Sequence, residues 1–143
     1  MLLDANLIIY AVDRRSPFHD AAVELRNQLL EGDRRVGLPW QTIGAVLRIT
    51  THPRITANPL TSAEAWELIG DWLSAPAVWI PPATEATARV YATLAERSII
   101  TANLVPDAML AALAIEHGLE LWSADTDFAR FSELRWRNPL AVA

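Results

Sequence analysis

Short apolar runs alternate along this chain with longer stretches in which apolar residues recur every three or four positions. The short runs end at charged residues or prolines and predict four β-strands, at residues 1–4, 35–39, 77–80 and 120–123. The longer stretches predict helices at residues 16–32, 40–51, 61–74, 84–97 and 106–118, with a further apolar turn or helix reaching Ala11. Strands that alternate with helices favour a parallel sheet covered on both faces.

Capping signals support several of these boundaries. Ser16 and Pro17 place a capping side chain and a first-turn proline at the start of one predicted helix, and Gly32 follows its end. Thr61 and Glu64 have the spacing of a capping box, in which each side chain accepts a hydrogen bond from the other residue's backbone N–H. The length of 143 residues fits a single α/β domain over residues 1–143.

The amino-acid composition excludes several classes of active site. The chain has 143 residues, 52% of them hydrophobic, and a net charge of −5. It contains no cysteine, which excludes disulfides, thiol nucleophiles and zinc fingers. All 12 basic residues are arginine, so P-loop hydrolases and Schiff-base enzymes, which need a lysine, are excluded as well. Asp4 interrupts the apolar N-terminus and no apolar run has membrane-spanning length, so we expect a cytoplasmic protein with no membrane association.

Four aspartates lie in apolar sequence where a strand ends or a helix begins: Asp4, Asp107, Asp125 and Asp127. In open parallel sheets the ligand crevice lies beyond the carboxyl ends of the strands. Two carboxylates about 4 Å apart repel each other by roughly 1 kcal/mol in bulk water and by roughly 4 kcal/mol near a protein surface. A cluster of such groups needs a cation, and oxygen ligands are those that Mg²⁺ or Mn²⁺ prefers.

Each aspartate also has a purely structural interpretation. Asp4 can cap the helix that follows it, and Asp107 can stabilise a helix dipole. Asp125 and Asp127 can form an Asx-turn. Only their convergence on one place would distinguish a metal site from these local roles.

Two other kinds of acidic site do not fit the sequence. A calcium loop beginning at Asp125 needs glycine at its sixth position and glutamate at its twelfth, where this chain has Arg130 and Trp136. A phosphatase of the haloacid dehalogenase type would place its second aspartate at Asn6 and would need a lysine.

Three stretches together resemble a known family: LLDANLIIYA, GLPWQTIGAVLRITTHPR, and NLVPDAMLAALAIEHGLELWSADTDFARF with RNPL near the end. In order and spacing they resemble the PIN-domain ribonucleases of the VapC toxin type. The resemblance implies a three-layer α/β/α sandwich with a short central parallel sheet. It also implies an endoribonuclease dependent on Mg²⁺ or Mn²⁺, the toxin of a toxin–antitoxin pair, which a cognate VapB-type antitoxin holds inactive.

The resemblance assigns unequal roles to the acidic residues. Asp4 and Asp107 correspond to the primary metal ligands. Asp125 corresponds to the acid that completes the site, directly or through water, and Asp127 lies beside it. Asn6 resembles the residue that steadies the first aspartate.

Two further positions bear on the same site. Ser123 resembles the family's Thr or Ser that orients water or phosphate. The family's second acid is a glutamate three residues before an arginine, and Arg48 places that position at Ala45. The loss leaves open whether one or two metal ions bind. It also leaves open an alternative function, a catalytically impaired PIN-like module that binds RNA or a partner.

Arginines are the candidate RNA contacts. Arg14, Arg48 and Arg54, with Arg15 and His52, could rim the crevice and hold phosphates. In the alternative interpretation, Arg48 and Arg54 only fix the helix end and the loop.

Large apolar residues predict buried surfaces. Trp66 and Trp72 are expected to pack in the core or in a subunit interface, and Met109, Leu110 and Leu113 are expected in the core. The surplus of apolar residues on helices 61–74 and 84–97 predicts a homodimer formed through them. The antitoxin would place a basic or aromatic segment over the acidic crevice.

Overall fold

A computed structural model describes residues 1–141 and contains a five-stranded sheet in which every neighbouring pair is parallel. The strands are β1 (Leu2–Leu3), β2 (Val36–Gly37), β3 (Val78–Trp79), β4 (Leu121–Trp122) and β5 (Trp136–Arg137). Their order across the sheet is β3-β2-β1-β4-β5. β1 is therefore the central strand. Asp4 and Ala5, which follow it, lie in the middle of the edge formed by the carboxyl ends of the strands.

Six α-helices and one 3₁₀ helix connect the strands. The α-helices are α1 (Ala5–Tyr10), α2 (His19–Glu31), α3 (Trp40–Thr50), α4 (Ser62–Leu73), α5 (Glu85–Arg97) and α6 (Leu104–Glu116). The 3₁₀ helix spans Thr126–Arg130. No helix within residues 1–141 is both long and apolar enough to cross a membrane.

The sheet separates two hydrophobic cores. Residues of α1 to α4 pack with Leu3 on one face, and residues of α5, α6 and the 3₁₀ helix pack with Leu2 on the other. Leu2 and Leu3 are both fully buried because successive side chains of a strand point to opposite faces. The predicted three-layer α/β/α sandwich is confirmed.

The predicted elements are all present, with some changed boundaries. Thr61 and Glu64 form the predicted capping box of α4. α2 begins only at His19, because the Ser16 hydroxyl accepts a hydrogen bond from Phe18 N and shapes the preceding turn instead of capping the helix. α6 begins at Leu104, earlier than the predicted Pro106.

Two elements and one core assignment were not predicted correctly. β5 and the 3₁₀ helix were not predicted, because neither has an apolar run long enough to show a period. Leu110 and Leu113 are buried as expected, but Met109 is 47% exposed, so its assignment to the core is wrong. Trp72 is in the core, whereas Trp66 is 47% exposed.

Pro39 ends the pairing of β1 with β2 and leaves the carbonyl of Leu3 to a side-chain donor, Thr42. Gly37 N donates to Met1 O at 2.7 Å, and the next acceptor along β1 is Leu3 O. The residue that would donate to it in a parallel ladder is Pro39, which has no N–H. The buried Thr42 hydroxyl donates to Leu3 O instead, at 2.8 Å. This bond fixes the first turn of α3 against the end of β1, next to Asp4.

Thr42→Val should therefore destabilise the protein by about 1–3 kcal/mol, because a buried carbonyl loses its donor while the shape of the side chain is kept. Chemical denaturation measures this loss. Thr93→Val is the matched control: that hydroxyl is exposed on α5 and bonds only within its own helix, so the change should stay within about 0.5 kcal/mol. Equal stabilities of the two variants would contradict a role for the Thr42 bond.

Candidate metal centre and cleft

Asp4 follows β1 directly and is held at both carboxylate oxygens. Its backbone N–H donates to Trp122 O at 3.0 Å, which continues the pairing of β1 with β4. One carboxylate oxygen caps α1 by accepting from Ala5 N at 2.7 Å, and the other accepts from the Ser123 hydroxyl at 2.6 Å. Burial raises the pKa of Asp4, while the bonds from Ser123 and Ala5 oppose that shift.

Ser123 is fully buried after β4, and its hydroxyl connects three other site residues. It donates to Asp4 and accepts from Asn6 Nδ2 at 3.1 Å and from Asp125 N at 3.0 Å. One donated and two accepted bonds use the full capacity of a hydroxyl. Ser123 thus orients Asp4, and direct contact with water or phosphate would require it to give up one of these bonds.

Asn6 steadies this arrangement from α1. Its amide nitrogen donates to the Ser123 hydroxyl, and its side-chain oxygen accepts from Ala124 N at 3.3 Å. Asn6 therefore acts on Asp4 through Ser123.

Asp107, Asp125 and Asp127 each offer a carboxylate oxygen, and these oxygens lie within 4.8 Å of one another. Asp107 comes from the first turn of α6. Asp125 caps the 3₁₀ helix by accepting from Asp127 N at 2.9 Å. Asp127 is exposed and lies 3.7 Å from Arg130 Nε. Two segments far apart in sequence thus bring three acids together.

The charges of this cluster act on one another. The pKa of Asp107 is raised from its ordinary value of 3.8 to about 6, first by burial and then by the charges of Asp125, Asp4 and Asp127. Asp4 is not among the three acids whose oxygens lie within 4.8 Å of one another, but its charge acts on Asp107. Half-buried carboxylates that repel one another are a donor set suited to a hard divalent cation such as Mg²⁺ or Mn²⁺.

A cleft of about 260 Å³ opens beside Asp4 and Asp107. Helix α3 forms one wall of it, with Gln41, Ala45 and Arg48 among the lining residues. Ala45 presents only a methyl group where the family resemblance predicts a carboxylate. Gln41 was not predicted as a site residue, although its position four residues before Ala45 places it on the same helix face.

The candidate arginines do not all lie at this cleft. Arg48 lines it, whereas Arg14 and Arg15 line a separate hollow of about 350 Å³ beside residues 56–58. Arg54 is exposed in the turn after α3, where its backbone N–H donates to His52 Nδ1 at 3.0 Å.

The raised pKa of Asp107 predicts a pH-dependent stability in the absence of metal. Because its folded-state pKa lies above the unfolded value, ionisation of Asp107 destabilises the fold, and this cost develops as the pH rises from about 4 through 6. In EDTA, Asp107→Asn should raise the melting temperature more at pH 7.5 than at pH 4. After allowance for solvent screening we expect a difference of about 1–2 kcal/mol, or roughly 3–6 °C.

Thermal unfolding of the wild type and of Asp107→Asn at the two pH values measures this difference. Asp71→Asn, on the exposed side of α4, is the matched control. A gain for Asp107→Asn that is the same at both pH values would contradict the electrostatic account.

Comparisons with known proteins agree with this fold. The PIN domain family model matches residues 1–134. The chain is 36% identical over 141 residues to Ribonuclease VapC37 of Mycobacterium tuberculosis, covering 99% of this chain and 98% of that protein. It is 37% identical over 139 residues to Ribonuclease VapC48 of the same species, with 96% of each covered.

A solved structure supports the same architecture. The structure of VapBC2 from Rickettsia felis, bound to a DNA fragment from their promoter, matches with a TM-score of 0.65 at 16% identity and covers 96% of both chains. At that identity the likeness concerns the fold alone. The family model and the two relatives are decisive: this chain belongs to the PIN-domain family.

Proposed function

We propose that this protein is a metal-dependent endoribonuclease, the toxin of a VapBC-type toxin–antitoxin pair. The observation that carries the proposal is the cluster formed by the carboxylates of Asp107, Asp125 and Asp127, on whose Asp107 the charge of Asp4, just after β1, also acts. Relatives that are named as VapC ribonucleases and match nearly the whole chain support the same activity.

In the proposed site the four acids have different roles. Asp4, Asp107 and Asp125 would hold Mg²⁺ or Mn²⁺, with Asp127 at the exposed side. When bound, such an ion polarises a phosphoryl oxygen and lowers the pKa of a water molecule that attacks phosphorus. The Ala5 N–H and the Ser123 hydroxyl hold the Asp4 carboxylate in position before any ion binds.

Arg48 is the proposed phosphate contact. It lines the cleft that contains Asp4 and Asp107, and a guanidinium can hold two phosphate oxygens at once. This positive charge offsets, at the cleft itself, the net charge of −5 that otherwise opposes RNA binding. Arg14 and Arg54 would contact the RNA farther from the scissile phosphodiester.

A cognate VapB-type antitoxin is the proposed regulatory partner. The cleft shares Ile9 and Ile49 with a neighbouring hollow of about 110 Å³ that also contains Val12 and Ile55. Ile55 is 56% exposed, so an apolar segment could cover this hollow while a basic residue reaches the carboxylates. The pair would act in the cytoplasm.

A homodimer is proposed as the assembled form. Trp66 on α4 is 47% exposed, and Ile99, just after α5, is 86% exposed. Burying such side chains against a second copy would remove apolar surface from water. The exposed residues thus support an interface that includes α4 and the end of α5.

Ala45 keeps a second function under consideration, a PIN-like module that binds RNA or a partner without cleaving. Its methyl group on the cleft wall removes one carboxylate from the usual set. The remaining acids favour the enzyme, since Asp107, Asp125 and Asp127 still form a cluster and the charge of Asp4 acts on Asp107.

Purified protein should cleave structured RNA in Mg²⁺ or Mn²⁺ and not in EDTA. Asp107→Asn should lower the rate by at least about 100-fold, because it removes a ligand of the ion that carries the chemistry. Gel assays of RNA fragments measure this, with Asp71→Asn as the matched control. Equal cleavage by wild type and Asp107→Asn would point to a contaminating nuclease and contradict the proposal. Cleavage that occurs only after Ala45→Glu would support the non-cleaving module.

A further inference from the structure

The side-chain oxygen of Gln41 is buried and accepts no hydrogen bond from any group within residues 1–141. Gln41 is the second residue of α3, whose first turn has no side-chain cap. A buried acceptor without a donor costs stability, and such groups in native proteins often serve a ligand. The position of this oxygen therefore bears on what the cleft binds.

Gln41 lies on the wall between two cavities. On one side is the acidic cleft, and on the other is a groove of about 380 Å³ between α5 and α6. Tyr91, Met109 and Ala88 line this groove, and most of its surface is apolar. The half-exposed Met109, which does not belong to the core, forms part of its lining.

The two adjoining cavities offer the two environments that a nucleotide needs, an acidic cleft for a phosphate on a bound cation and an apolar groove for a base. A nucleobase has flat apolar faces and a polar edge, and it lies close to the phosphate of the same residue. With a phosphate in the acidic cleft, an adjoining base can enter the groove, where Tyr91 and Met109 offer apolar contacts. The edge of that base would then face Gln41 on the dividing wall.

A neutral amide is well suited to this position. It adds no charge to a site where four carboxylates already repel one another. Its oxygen can accept a hydrogen bond from an amino or imino N–H of a base, and its nitrogen can donate to a ring nitrogen or carbonyl. Ala45, one turn later on the same face, is too small to block the approach.

We propose that Gln41 is a specificity-determining residue that reads the edge of the nucleobase bound in the groove beside the metal cleft. This inference rests on the proposed ribonuclease function, and it adds a base-recognition subsite to it. A base with a donor at the right place pairs with the Gln41 oxygen. A base without one leaves this oxygen buried and unpaired, and so binds more weakly.

Sequencing the cleavage products of a short RNA pool with a randomised stretch tests this directly. The wild type should prefer one base by about tenfold at one position next to the cut, the effect of a single hydrogen bond. Gln41→Met keeps the size of the side chain without the acceptor and should lower this preference to about twofold or less. Gln28→Met, at the other glutamine of the chain, which is exposed on α2, should change nothing.

Two readouts do not depend on cleavage. In Mg²⁺, with Asp107→Asn present in both proteins to suppress cleavage, fluorescence anisotropy with labelled single-stranded RNAs of each base should give Kd values that differ by about tenfold when Gln41 is present, and Gln41→Met should equalise them. Gln41→Met should also raise the melting temperature by about 3 °C, since a buried unpaired oxygen is removed, whereas Gln28→Met should not. Loss of all cleavage with this base-dependent binding intact would refute the proposed enzyme and still support the subsite.

Several results would overturn the subsite. The same base preference in wild type and Gln41→Met would do so, as would a lower melting temperature of Gln41→Met, which would show a structural partner for the oxygen. Ala88→Leu narrows the groove and should weaken RNA binding by several-fold in Mg²⁺ in the same Asp107→Asn background. If it instead changes the oligomeric state in light scattering and leaves RNA binding unaltered, the groove holds a second copy of the chain.

Discussion

Four carboxylates at one edge of a short parallel sheet repel one another, and the partial burial of Asp4 and Asp107 makes their charged forms still less favourable. Two carboxylates about 4 Å apart repel each other by roughly 1–4 kcal/mol, and the oxygens of Asp107, Asp125 and Asp127 lie within 4.8 Å of one another. The fold meets this cost with fixed contacts to Asp4: the cap of α1 and the buried hydroxyl of Ser123. What remains is a cluster whose repulsion a divalent cation would relieve.

The same edge of the sheet is built from very short elements. Strands of two residues offer few ladder hydrogen bonds, so side chains complete the pairing. Thr42 supplies the donor that Pro39 lacks, and Trp136 Nε1 donates to Ser123 O at 3.0 Å. These bonds place α3 and β5 against the two strand ends that bear the site. Packing of the helices and geometry of the site therefore depend on the same few buried groups.

Much of this arrangement could be predicted from the sequence, because the hydrophobic period identified the strands and the parallel-sheet rule brought Asp4 and Asp125 to one edge. Other features depend on tertiary contacts that leave no local period. β5 is recognisable only from its pairing with β4, and the exposure of Met109 only from the groove beside α5. The three bonds of Ser123 join residues up to 119 positions apart, which spacing alone does not reveal.

The clustered acids are proposed to bind one hard divalent cation or more. Anomalous diffraction from crystals of the protein grown with Mn²⁺ tests this proposal most directly, because the signal locates the metal without reference to activity. We expect a peak between the carboxylates of Asp107 and Asp125, on the side that faces Asp4. A structure at saturating Mn²⁺ with no peak there, or with these carboxylates turned away from one another, would contradict it.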